Sequence, residues 1–131
     1  MGDADAPWHA HVYYDAPHRP AAEALRERLT AWLAPGSRPQ LLYVGRMAED
    51  PIGPHPLPQF ESHFAGRWRE AVRAEVAATG LRALIHPLTD DDLADHTTLA
   101  HWVGEPLELD LTALDPPGAN QGVGRFGTSE F

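Results

Sequence analysis

Trp8-His9-Ala10-His11-Val12-Tyr13-Tyr14 sets two histidines two residues apart in a stretch that otherwise reads as a β-strand. A strand has a side-chain period of two, so His9 and His11 share one face while Ala10, Val12 and Tyr14 share the other. Two imidazoles side by side on a sheet surface fill a core poorly and hold a metal ion well.

Outward from this strand, Asp15-Ala-Pro-His-Arg-Pro20 is turn-rich, and its last proline is placed to open a helix. Leu25, Leu29, Trp32 and Leu33 then recur at helical spacing between charged residues, predicting an amphipathic helix over 21–34 that Pro35-Gly36 ends. Residues 41–47 read as a second strand. A loop rich in proline and glycine, Asp50 to Pro58, leads to a third strand at 59–64. Trp68, Val72 and Val76 predict a second helix over 67–79, with Gly80 at its C-terminal cap. Residues 81–86 form a fourth strand stopped by Pro87. Thr89 and the acids after it suit a short helix reaching to Trp102, and 108–111 adds a last strand.

The order β-α-β-β-α-β is that of a ferredoxin-like α+β fold, an antiparallel sheet with two helices on one face, here with a C-terminal helix and strand added. In that topology the first strand lies between the third and the fourth. The apolar sets Trp8, Ala10, Val12 and Tyr14, then Phe60 and Phe64 with Ser62, then Leu81, Ala83 and Ile85, face the helices. His9, His11, His63 and His86 therefore project from the opposite face, on three adjacent strands. Glu61 shares that face and offers a carboxylate, with Glu105 and Glu108 as alternatives. Such an exposed face needs cover, and a second chain would supply it, so a homodimer is expected.

Composition narrows the chemistry. The 131 residues suit one domain, read as 1–114, followed by a tail over 115–131 that is poor in apolar residues and expected to be poorly ordered. The net charge of −9 opposes binding to nucleic acid. No apolar run approaches membrane-spanning length, and the acidic amino terminus lacks the features of a signal peptide, so a cytoplasmic location is expected. There is no cysteine, all ten cationic residues other than histidine are arginine, and none of the three serines lies in a nucleophile elbow. Disulfides, thiolate chemistry, lysine Schiff bases and Cys-ligated metals are excluded. Eight histidines and abundant carboxylates leave acid–base or metal-assisted chemistry.

Among the remaining histidines, His55 is held between Pro54 and Pro56, where it could bind substrate or act as a base. His96 and His101 are five apart on the predicted third helix, and one of them would cover the site. His18 lies in a turn and is expected to be exposed. Asp90, Asp91 and Asp92 read as helix-start residues rather than ligands.

The stretches His9-Ala-His-Val-Tyr-Tyr14, Val44-Gly-Arg46, Gly53-Pro-His-Pro-Leu-Pro58, Leu84-Ile-His-Pro87, Asp91-Asp-Leu-Ala-Asp-His96 and Trp102-Val-Gly-Glu-Pro-Leu107 together resemble the DOPA 4,5-dioxygenase family, in the same order, from about Trp8 to Leu114. The resemblance implies a small ferredoxin-like domain, commonly dimeric. It also implies extradiol cleavage of L-DOPA or a related catechol by non-haem Fe(II) and dioxygen. Imidazole suits several divalent metals alike, so another such as zinc is a candidate occupant of the site in purified protein. Two departures stand out: Tyr14 replaces a phenylalanine common in relatives, and His63 lies in a strand that often lacks histidine.

The resulting assignment makes His11 and His86 the metal ligands, with His9 third or just behind them. His55 is the acid–base or substrate-orienting residue and His96 encloses the pocket, while His63, Glu61 and Tyr13 form a possible additional pocket. A non-catalytic module that binds a metal or small ligand is the alternative, and metal-independent acid–base catalysis is a third possibility.

Overall fold

A computed structural model describes residues 3–51 and 53–115. The predicted tail therefore lies outside the described residues, apart from Asp115. The elements are β1 (Pro7–Tyr13), α1 (Arg19–Ala31), β2 (Tyr43–Val44), β3 (Gln59–Ala65), α2 (Arg69–Ala77), β4 (Ala83–Pro87), α3 (Asp92–His96) and β5 (His101–Val103). They form one five-stranded sheet in the order β2-β3-β1-β4-β5, with every pair antiparallel. The ferredoxin-like reading holds, and β1 lies between β3 and β4 as its topology requires.

One face of the sheet carries the apolar core. Ala10, Val12, Phe60, Phe64, Ala83 and Ile85 meet Ala22, Leu25 and Leu29 of α1 and Val72 and Val76 of α2, all buried. Helical spacing of those five residues turns one stripe of each helix onto the sheet. Pro20 stands in the first turn of α1, where its missing N–H leaves no bond unmade.

Three predicted elements differ. The second strand pairs over two residues only, because the four steps from Val44 to Ala48 run opposite three from Ser62 to Gln59. One extra residue breaks the ladder there, as in a bulge. The third helix stops at His96, and the chain turns into β5, so His101 lies on a strand rather than a helix and is exposed beside Trp8. Residues 108–111 are not a strand; a short 3₁₀ turn, Leu111–Ala113, is capped by the Asp110 carboxylate instead.

The sequence also leads one to expect a second sheet face open to solvent. It is closed. His9, His11, Glu61, His63 and His86 are at most 2% exposed within the single chain. The loop bearing His55 and the helix α3 bearing His96 come over this face, and residues 104–115 tie both down: Asp110 N donates to Pro54 O (2.9 Å) and Asp115 N to Asp92 Oδ2 (2.9 Å). This face therefore needs no second chain to cover it. No helix among the described residues is long and apolar enough to cross a membrane.

Candidate metal centre

Register places the cluster. His9 pairs with His63 on β3 and with His86 on β4, while His11 pairs with Glu61 and Tyr13 with Gln59. Directly opposite side chains on neighbouring strands stand about 5 Å apart at Cβ, close enough for imidazoles to converge. His55 and His96 arrive from the covering layer. The structure thus brings together His9, His11, His55, Glu61, His63, His86 and His96, with Tyr13 at the margin. Glu105 and Glu108 are exposed and stand apart, and His18 is exposed as expected.

Three sets of donors lie close enough to share an ion, each with one ligand atom per residue and all atoms within 4.8 Å of one another. They are His9, His11 and His86; His11, His55 and His96; and His9, Glu61 and His63. His11 is common to the first two.

Hydrogen bonds fix how the rings are presented. His86 Nδ1 lies 2.7 Å from the Pro87 carbonyl and His96 Nδ1 2.8 Å from the Asp92 carbonyl. A carbonyl only accepts, so each Nδ1 carries the proton and, in the neutral ring, each Nε2 presents a lone pair. His11 Nδ1 stands 3.2 Å from Gln59 Oε1, and donation there leaves His11 Nε2 bare as well. His11 Nε2 and His86 Nε2 are 3.0 Å apart. Two facing lone pairs repel unless a cation lies between them. Ligand nitrogens about 2.1 Å from a metal and at right angles to each other are separated by about 3 Å, so the pair fits such an ion. Backbone and amide acceptors behind the rings are the usual supports of a metal-binding histidine.

Burial keeps His9, His11, His55 and His86 neutral. Burial, followed by repulsion from neighbouring imidazoles, holds His9, His11 and His86 well below the ordinary histidine value. Burial, then His96 and His86, lowers His55 to about 3. Neutral imidazole is the form that binds a metal. Tyr13 donates to or accepts from His55 Nδ1 at 2.7 Å, and burial raises its own pKa. Tyr13 also lines a surface cleft of about 70 Å³ with Asp15, His18, Leu57 and Arg82, so it joins that cleft to the cluster.

The short helix α3 would not hold His96 by propensity alone, since five residues fall far below the length at which isolated helices persist. Its ends are pinned. Asp91 caps it by accepting from Ala94 N at 3.0 Å, and buried Asp95 accepts from Thr89 N and Thr89 Oγ1 at 2.9 and 2.7 Å. Asp91→Ala should lower stability by about 1 kcal/mol in urea unfolding. An unchanged midpoint would mean that the Asp91 cap does not stabilise the fold.

Gln59 is the site residue that sequence reasoning passes over. It is buried, braces His11, and has the same strand parity as Glu61 and His63, a signal sufficient to find it.

The profile of the Dopa 4,5-dioxygenase family matches residues 8–113. The chain belongs to this family. A DOPA 4,5-dioxygenase from Amanita muscaria is 30% identical over 112 residues, covering 82% of this chain and 49% of that protein. An uncharacterised 21.2 kDa protein from Botryotinia fuckeliana is 33% identical over 114 residues, covering 79% of this chain and 61% of its own. The chain thus spans about half to three fifths of the length of these curated relatives. A crystal structure from Nostoc punctiforme, provisionally described as a dioxygenase, superposes with a TM-score of 0.73 at 33% identity, covering 84% of this chain and 91% of that one.

Proposed function

We propose that this member of the DOPA 4,5-dioxygenase family is an extradiol catechol dioxygenase acting on L-DOPA or a related catechol with non-haem Fe(II) and dioxygen. The observation that carries the reading is the pair of facing Nε2 atoms of His11 and His86, 3.0 Å apart on a buried sheet face. These two histidines hold the metal, and His9 stands beside them. Bound Fe(II) would supply Lewis acidity toward the catechol oxygens and the redox chemistry of dioxygen, as it does where few protein ligands leave positions open. Zinc would compete for the same imidazoles in purified protein.

The chain's own residues do the rest. His55, in the tautomer whose Nδ1–H donates to the Tyr13 hydroxyl oxygen, offers a bare Nε2 to a catechol hydroxyl and takes its proton. His96, held by the Asp92 carbonyl, closes the pocket over His86, with ring centroids 4.3 Å apart. Burial of the cluster excludes water, which strengthens each charge interaction and protects reactive species from hydrolysis. A cytoplasmic homodimer belongs to the same proposal and is checked by light scattering and fractionation.

The decisive assay reconstitutes metal-free protein with Fe(II) under anaerobic conditions, then adds dioxygen and a panel of catechols. A yellow ring-cleavage product is expected. No turnover of any catechol by protein shown to hold iron would overturn the reading and leave the non-catalytic binding module in its place.

A further inference from the structure

Glu61 is a carboxylate on the buried face, 2% exposed, and its Oε2 has no hydrogen-bond partner among the described residues. Its neighbours are imidazoles: His63 Nε2 lies 3.5 Å from Oε1 and His11 Nδ1 lies 4.0 Å from Oε2. The position is built rather than incidental. Gly45 donates its N–H to the Glu61 carbonyl at 2.7 Å, and a Cβ at Gly45 would come within 3.1 Å of Glu61 Cγ, so a side chain there would press on Glu61. A carboxylate buried without full hydrogen bonding costs several kcal/mol unless a cation compensates it.

The cation that these surroundings suit is a metal. One donor atom each from His9, Glu61 and His63 lie within 4.8 Å of one another, and the His9 and His63 rings stack at 3.7 Å between centroids and 11° between planes. Two imidazoles and a carboxylate are a common donor set for divalent first-row metals. This triad shares no residue with the His11–His86 pair.

We propose that His9, Glu61 and His63 bind a second divalent transition-metal ion, beside the ion held by His11 and His86. The proposal rests on the reading above only for that first ion. Glu61 neutralises part of the second ion's charge, and the paired β1 and β3 backbones set His9 and His63 opposite each other to receive it.

The test is metal stoichiometry of the full chain. Protein stripped with a chelator is dialysed against Zn(II), and separately against Co(II), and metal per chain is measured by mass spectrometry while Co(II) absorption is followed during titration. Two equivalents and two titration steps are expected. Glu61→Gln and His63→Gln should each bind one equivalent, His11→Gln, which breaks both donor sets that include His11, one, and Glu61→Gln/His11→Gln none. Circular dichroism and a urea midpoint show whether each variant is folded, and the near-isosteric Glu61→Gln carries the result should His63→Gln unfold. His18→Ala, which removes an exposed histidine, should keep two. One equivalent in the parent protein, or two that persist in Glu61→Gln, overturns the proposal. Failure of catechol turnover by iron-loaded protein would sink the dioxygenase reading and leave this stoichiometry untouched, so the two can fail separately.

Discussion

His55→Gln is expected to lower turnover of a catechol by about 10²–10⁴-fold while leaving bound iron unchanged, if His55 has the proposed proton-exchanging role and His11 and His86 hold the metal. The flanking prolines restrict the backbone on either side of His55, and Tyr13 holds its Nδ1 at 2.7 Å, so the ring is aimed before substrate arrives. It sits 4.1 Å from the His11 ring between centroids, close enough to reach a catechol bound at that metal. Burial, reinforced by His96 and His86, lowers its pKa to about 3, so between pH 5 and 8 it is present as the free base. The loss in His55→Gln should therefore be the same factor across that range. Tyr13→Phe should lower kcat less and leave KM unchanged, since it disturbs aim rather than the base itself. Steady-state rates with iron measured in parallel decide the matter. A variant that keeps most of its turnover, or whose rate falls only in step with lost iron, would take the proton-transfer role away from His55.

How far the sequence reaches can be seen at individual residues. Alternation along Trp8 to Tyr14 identifies which side chains share a face, and strand order follows from the β-α-β-β-α-β pattern, so His9, His11, His63, Glu61 and His86 can be placed together without coordinates. Alternation does not say what covers a face. Histidine and glutamate on one side of a sheet read as solvated because they are polar, whereas here a loop and a five-residue helix close over them. That closure depends on long-range bonds such as Asp110 to Pro54, which leave no periodic trace. β5 is hidden for a related reason: three residues are too few for a period, and the acidic run before them has the composition of a helix start. Gln59 could have been read, but its parity is informative only once His11 is known to need a brace.

The second large effect is acid instability of the metal-free protein, and its sign follows from the same burial. His9, His11, His55 and His86 all have folded-state pKa values below that of the unfolded chain, near 6.5. Above about pH 7.5 both states leave these rings neutral, so stability does not change with pH on their account. Below 6.5 the unfolded chain takes up protons that the folded chain refuses, and stability falls as pH falls. Each ring contributes about 1.4 kcal/mol per pH unit once the unfolded form is fully protonated, so four together remove about 5–6 kcal/mol per unit. Native stability is only about 5–15 kcal/mol in total, and the fold should therefore be lost within about one to three units below 6.5. The groups that face these rings are His63, His96, Tyr13, Gln59 and Glu61, with Asp92 beside His96. Exposed carboxylates with lowered pKa values, such as Asp15, Glu49 and Glu70, respond only below their ordinary range near 4 and do not share this window. Urea unfolding at half-unit steps from pH 8 to 5 measures the slope. His55→Gln should lessen it by about one ring's share, and saturating Zn(II) should carry the loss to lower pH, because protons must then displace the metal. A stability that stays level from pH 7 to 5 in metal-free protein would mean that the rings are already protonated or open to water, and the neutral, lone-pair-presenting cluster on which the metal centre depends would fall with it.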